Sequence, residues 1–252
     1  PHRGKIFSHA SIYDSSFQML SPVGVQHYQS FGFSGKVTTE DHECLSKSVQ
    51  FRQMSIGASH FPDNFFRNQD SLLSVSYYGT VSPATLHAVS KLLHLEEFSC
   101  RSYSAEITTT DLEQLSGLSR LKILRLPDAK FPAGSFAFLA KLPNLESLEL
   151  SGNQLGRDDL AAIGQLKKLT HLYINSVGPG LDNQAFACLE GCESLTDLVC
   201  RGHSFNDETL AIANKFPSLR RVSWNENSFS QLSLVEFRRQ LLTRQIVRTP
   251  DY

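Results

Sequence analysis

The sequence predicts an α/β array in which one strand–turn–helix unit repeats, parallel strands lining one side and helices the other. Three observations carry the prediction. Residues 145–155 read L-x-x-L-x-L-x-x-N-x-L. The same apolar register begins at Leu95, Leu121, Leu145, Leu169, Leu195 and Leu219, with starts 26, 24, 24, 26 and 24 residues apart. Within each unit the apolar period changes from two, as a strand demands, to helical spacing.

The first third of the chain is the most worn. Phe7 with Ala10 and Ile12, Tyr28 with Phe31 and Phe33, Phe51 with Met54, Ile56 and Phe61, and Leu72 with Val75 and Tyr77 fit the register, stepping by 21 to 23 residues. Aromatics replace Leu here, as bulky residues do in terminal coils. Residues 1–50 read either as irregular coils of the array or as an unrelated α+β cap. Strong copies follow: Leu95 with Phe98 and Cys100, Leu121 with Leu124 and Leu126, Leu145 with Leu148 and Leu150. They continue with Leu169, Leu172 and Ile174, then Leu195, Leu198 and Cys200, then Leu219, Val222 and Trp224.

Each strand is followed by a helix-start signal. Ser82-Pro83 precedes a helix over 84–92, Thr109-Thr110-Asp111 one over 112–118, and Pro132 one over 133–142. Asp158-Asp159 opens a helix to Leu166, and Asn206-Asp207-Glu208 one to Phe216. Short polar caps accept bonds from orphan helix N–H groups, and acidic residues suit the dipole there. Pro143 and Pro217 stop two helices before the next strand. Sequential β-α-β connections of this kind are right-handed. Residues 233–242 are predicted as a last helix and 245–248 as a short final strand. The domain reading is a single array over 1–252: irregular coils or cap to 50, repeats over 51–230, and a closing helix and strand over 231–252.

One such unit cannot bury both faces of its own Leu ladder, so neighbouring coils must cover it. Asn153 and Asn227 occupy the position where a side-chain amide can satisfy turn backbone; Ser59, Tyr103, Ala129, Val177 and His203 are the equivalents elsewhere. With Asn mostly replaced, these turns are expected to be irregular.

Residues 145–155 resemble the consensus of the leucine-rich-repeat (LRR) family nearly letter for letter. The resemblance implies a right-handed solenoid, a horseshoe with a parallel β-sheet on its concave face and helices on its convex face. The repeat length and the helix-plus-strand ending resemble bacterial LRR arrays, which makes Tyr252 the expected natural C-terminus. It further implies a non-catalytic module that binds a protein or peptide, without naming the partner.

Charge is balanced, 24 Lys+Arg against 25 Asp+Glu, so nothing pulls the chain toward nucleic acid or anionic membrane. No run of 18 apolar residues occurs, and the first residues lead into no secretory h-region. The chain begins without Met, which is compatible with processing and with an upstream anchor. Without a disulfide framework, the cytoplasm is the favoured compartment, and a monomer the favoured state. Cys44, Cys100, Cys188, Cys192 and Cys200 read first as reduced structural cysteines, with a disulfide or a metal site as alternatives. Cys188 and Cys192 stand i, i+4 on a predicted helix, but Zn would need two more ligands nearby. The sequence shows no G-x-G-x-x-G, P-loop, G-x-S-x-G, H-E-x-x-H or EF-hand motif, so no cofactor or catalytic residue is assigned.

Strand alternation assigns the concave face to the second, fourth and sixth residues after each first Leu. These are Glu97, Ser99 and Arg101; Ile123, Arg125 and Pro127; Ser147, Glu149 and Ser151; His171, Tyr173 and Asn175; Asp197, Val199 and Arg201; and Arg221, Ser223 and Asn225. Arg101, Ile123, Arg125, Glu149, His171, Tyr173, Asn175, Asp197, Arg201 and Arg221 are the candidate binding residues, mixing Tyr and Arg with apolar side chains as hot spots do. The competing reading makes Arg101, Arg125 and Glu149 members of inter-strand ion pairs. Two rival functions remain: an adaptor segment of a larger anchored or multidomain protein, and an enzyme built from Tyr13, Asp14, His27, Asp41, His42 and Cys44 in the irregular N-terminal region.

Overall fold

The computed structural model describes residues 7–13, 28–34, 51–57, 66, 69–175, 178, 181–203, 205–225 and 228–246, the first two stretches and 245–246 by backbone alone. The chain forms two compact units, Pro1–Arg125 and Leu126–Tyr252.

The first unit contains strands β1 (Phe7–Tyr13), β2 (Tyr28–Ser34), β3 (Gln53–Gly57), β4 (Ser74–Val81), β5 (Glu97–Tyr103) and β6 (Ile123–Arg125). Each pairs in parallel with the next. The register is the one that the worn pattern predicts. Ala10 pairs with Phe31 and Ile12 with Phe33, then Phe31 with Met54, Met54 with Val75, Val75 with Phe98 and Phe98 with Leu124. Strands β1 and β2 therefore extend the same parallel ladder in the same register. Phe61 and the remainder of 1–50 lie outside the described residues, as do Tyr13's side chain, Asp14, His27, Asp41, His42 and Cys44. Strand β4 runs well past the predicted core, and its register with β5 shifts between Tyr77 and Thr80, leaving Tyr78 exposed.

Helix α1 (Pro83–Ser90) starts on a capping box formed by Ser82 and Thr85. Helix α2 (Thr109–Glu113) uses Thr108 and Asp111 in the same way. Both stop short of the predicted ends. After α2 the chain tightens into a 3-10 turn over Gln114–Gly117, so that Leu118 N–H bonds Leu115 O and Leu121 N–H bonds Leu118 O on the way into the next strand. Tightening to i→i+3 bonds satisfies the last helical carbonyls within a short unit.

The second unit contains β7 (Ser147–Glu149), β8 (His171–Tyr173), β9 (Asp197–Val199) and β10 (Arg221–Ser223), again parallel in sequence order. Opposite the sheet's open face lie α3 (Arg157–Ile163), α4 (Asn183–Ala187), α5 (Asp207–Ala213) and α6 (Gln231–Ile246). Leu145, Leu148, Leu150, Leu169, Leu172, Ile174, Leu195, Leu198, Cys200 and Leu219 are all buried between them.

Residues 133–142, predicted as a helix, carry only a 3-10 turn over Ala137–Lys141. Gly134 sits at φ 87, outside helical space, and Phe131, Phe136 and Phe138 are buried together instead. The Phe131 and Phe136 rings meet edge to face at 6.0 Å. Their spacing of five and two residues fits no single helical stripe. Asp159, fully buried, anchors this coil. Its carboxylate accepts from the N–H of Gly134 at 2.7 Å, Phe136 at 2.9 Å and Gly156 at 2.9 Å.

Three of the four described ladder turns keep a side-chain bond to backbone; at the fourth, Ala129 lies between Asp128 and Lys130, both at positive φ (57 and 55). Asn153 donates to Leu126 O and Leu150 O, both at 2.8 Å, and accepts from Phe131 N–H at 3.2 Å. One coil pair later His203 Nε2 donates to Ile174 O at 2.9 Å, the carbonyl equivalent to that of Leu126. In the first unit Tyr103 Oη donates to Cys100 O at 2.9 Å, the equivalent of Leu150 O. His203 and Tyr103 thus each meet one of the two carbonyls that Asn153 spans, so losing Asn does not by itself lose every such bond. Ser59, Val177 and Asn227 lie outside the described residues.

At the end of the chain, α6 takes in Gln245 and Ile246, where a short strand was predicted; Val247 and Arg248 lie outside the described residues. The reason is packing. Leu234, Phe237 and Leu241 form a buried i, i+3, i+7 stripe, and Phe237 and Phe229 flank Trp224 at 5.1 and 4.9 Å. Arg244 donates to the carbonyls of Asn214 and Phe216, which extends the helix another turn.

Candidate functional site

In the second unit the strand register sorts the outward side chains into rows that cross the sheet. The first row is Ser147, His171, Asp197 and Arg221. Asp197 lies between two neighbours that both face it. It accepts from Arg221 Nε and from Thr196 Oγ1 at 2.7 Å, and His171 Nε2 stands 3.6 Å away. Burial opposes charge on the Asp197 carboxyl, but the bonds from Arg221 and Thr196 and the guanidinium charge outweigh it and hold the group below the usual carboxylate range. Arg221 is correspondingly raised, first by its hydrogen bond to Asp197. His171 Nδ1 is tied in turn to Thr170 Oγ1 at 2.8 Å. His171, Asp197 and Arg221 of this row line an open cleft of about 540 Å³, together with Thr196 and Arg220.

The second row is Glu149, Tyr173, Val199 and Ser223. Tyr173 and Val199 are half-buried neighbours and give this row its apolar surface. Beyond them, side chains join the ladder alongside the backbone bond from Gly152 N–H to Asn175 O at 2.9 Å. Ser151 Oγ accepts from Asn175 N–H at 3.1 Å, and Asn175 Oδ1 accepts from Arg201 N–H at 2.8 Å. Arg201 Nε then donates to Ser223 Oγ at 2.8 Å.

In the first unit Arg125 pairs with Glu97 across β5 and β6, half-buried on both sides, as the ion-pair reading predicts. Ile123 stands beside Glu97 in register. Arg101 is exposed and Glu149, in the second unit, half-buried; neither forms an ion pair among the described residues. Pro127 departs from its predicted outward position and is buried.

Two cleft residues escaped the sequence reading. Thr196 and Arg220 directly follow the first Leu of their units, a position that strand alternation discards because it precedes the strand. The signal was available: the same position holds Glu96, Lys122, Glu146 and Thr170, a column of polar residues. Lys122 and Glu96 pair there at 2.9 Å.

The described cysteines carry no disulfide. Cys188 and Cys192 do not share a helix face: Cys188 begins the 3-10 turn Cys188–Gly191, while Cys192 is buried and donates to Ile163 O at 3.2 Å. Among the described residues, no three His, Cys, Asp or Glu side chains gather with metal-binding geometry. No described helix is long and apolar enough to cross a membrane.

No protein-family model and no curated protein matches the sequence. Solved structures do match. Internalin C2 from Listeria monocytogenes superposes with a TM-score of 0.59 at 20% identity, over 81% of this chain and 84% of that one. A second Listeria monocytogenes internalin, InlF, gives 0.58 at 15% identity over 87% of this chain. A leucine-rich-repeat protein from Leptospira interrogans gives 0.55 at 16% identity over 88%. The chain spans 61% of the length of each of the last two. Repeating register, parallel strands and these likenesses agree: the chain has the leucine-rich-repeat fold.

Proposed function

We propose that the chain is a non-catalytic module that binds a protein or peptide segment on the open sheet face of its second unit. The observation that carries this reading is the row Glu149–Tyr173–Val199–Ser223, which sets a half-buried aromatic and aliphatic pair between an ion-paired row and a hydrogen-bonded one. Side chains fixed on strands lose little freedom when a partner docks, so more of the contact energy appears as affinity. Tyr and Arg, both present on this face, are enriched in interface hot spots. Seven of the ten candidates, Glu149, His171, Tyr173, Asn175, Asp197, Arg201 and Arg221, belong to this face. Arg101, Ile123 and Arg125 belong to the first unit and are secondary candidates.

Affinity capture from the native source tests the proposal, comparing the wild-type chain with Tyr173→Ala/Val199→Ser. Both residues are only half-buried, so the variant is expected to keep the wild-type circular dichroism spectrum while its captured partners disappear. Retention of the same partners at wild-type yield would refute the reading. A second reading makes the chain a segment of a longer adaptor protein. The intact mass of the natural protein distinguishes it.

A further inference from the structure

We infer that the segment bound on this face is extended, runs along the strands, and carries an acidic side chain two residues from a large apolar one. The inference rests on the binding role proposed above and adds the chemistry of the partner.

The cleft supplies the acidic half. Among the described residues that line it are Arg220, Arg221 and the carboxylate of Asp197. Asp197 engages Arg221 through Nε alone, and the terminal amino groups make no hydrogen bond among the described residues. The Arg221 side chain is 73% exposed. A guanidinium held by one edge presents its other edge in a fixed direction, and that edge matches a carboxylate with two parallel N–H···O bonds. Holding the fork beforehand removes part of the ordering cost of the contact.

The neighbouring row supplies the apolar half, and its spacing fixes the partner's conformation. From His171 to Tyr173, from Asp197 to Val199 and from Arg221 to Ser223, the rows are two residues apart along each strand. Two residues of strand span roughly 6.6 Å. An extended segment lying along the strands repeats that distance between residues i and i+2, whose side chains share one face. A helix would offer pairs at i, i+3 or i, i+4, with Cβ atoms only about 5–6 Å apart. The matching motif is Asp or Glu, any residue, then Leu, Ile, Val, Phe, Tyr or Trp, in either direction.

Panning a displayed library of random linear peptides against the wild-type chain tests this directly. Enrichment of an acidic residue two positions from an apolar one is expected. A selected peptide, resynthesised, should bind Arg221→Gln about tenfold or more weakly, while Arg221→Lys recovers part of the loss because the charge returns without the fork. Gln can still donate to Asp197, and thermal melts confirm that each variant is folded. Binding should weaken as salt rises in the wild type and less so in Arg221→Gln. Peptides that require Tyr173 but lack the acidic residue, place it three or four positions away, or ignore Arg221→Gln would overturn this inference and leave the binding role intact. Peptides indifferent to Tyr173→Ala, or no enrichment at all, would overturn both.

Discussion

Replacing Asp159 with Ala tests how one coil of the second unit is held to the next. The carboxylate accepts three backbone N–H groups from two neighbouring coils and is fully buried. Phe136 is buried, so its N–H would lose its partner with no water to replace it, at about 1–3 kcal/mol. Gly134 is exposed and Gly156 half-buried, so water substitutes in part, and each lost bond costs about 0.5–1.5 kcal/mol. The sum is about 2–6 kcal/mol, and relief from burying a carboxylate trims the upper end to about 5. Urea unfolding followed by circular dichroism measures it, with Asp158→Ala as the control: that neighbour is exposed, and a change within about 0.5 kcal/mol is expected. In a chain of this size a loss of 2–5 kcal/mol lowers the melting temperature by roughly 5–15 °C. A loss below about 1 kcal/mol for Asp159→Ala would refute the claim that the carboxylate ties these coils together. Asp159→Asn should be nearly as costly, because the amide brings a donor to face N–H groups that need acceptors.

Leu148→Ala empties a fully buried ladder position and should cost about 2–5 kcal/mol in the same assay. His203 gives the fold an acid sensitivity. Burial disfavours its charged form and, against the smaller effect of the bond to Ile174 O, holds its pKa below the ordinary value. The stability tied to it is therefore present above the unfolded value, about 6.5, and is lost as pH falls through the folded value. His203→Asn, which places at this position the residue found at 153, should flatten the urea midpoint between about pH 7 and 5; an unchanged slope would sink the assignment. Burial pushes the Cys100 and Cys192 thiols up to about 12 and Cys200 higher still, so of the four described cysteines only half-buried Cys188 should react with a thiol reagent at about pH 8 before denaturant is added.

The worn N-terminal copies show how far a period can be trusted. Phe7, Tyr28 and Phe51 share no residue type with Leu145, yet Ala10, Phe31, Met54 and Val75 pair in the register that spacing alone assigns. Register depends on which face each side chain takes, and alternation carries that information whatever the side chain's size. Helix boundaries were less legible, because a single φ at Gly134 and three Phe rings decide the fate of residues 133–142 against a favourable local pattern. The closing strand failed for the same reason: contacts of Arg244 with the Asn214 and Phe216 carbonyls, about thirty residues back, outweigh local β-propensity at 245–246.

The candidate face divides along the same line. Sequence alone determined the scaffold and, Pro127 apart, assigned the outward positions on the strands, since both follow from periods of two and of about 24 that are written in the order of residues. It could not decide which outward residues would touch. Asp197, Arg221 and His171 are separated by 24 and 26 residues and meet only because neighbouring strands stack in register. That meeting leaves one edge of Arg221 committed and the other open, and it brings Thr196 and Arg220 into the cleft from a position that alternation ignores. Periodicity fixes direction along one strand. Distances between strands, and with them the hydrogen bonds, the charges and the fit of a partner, exist only once the coils are stacked.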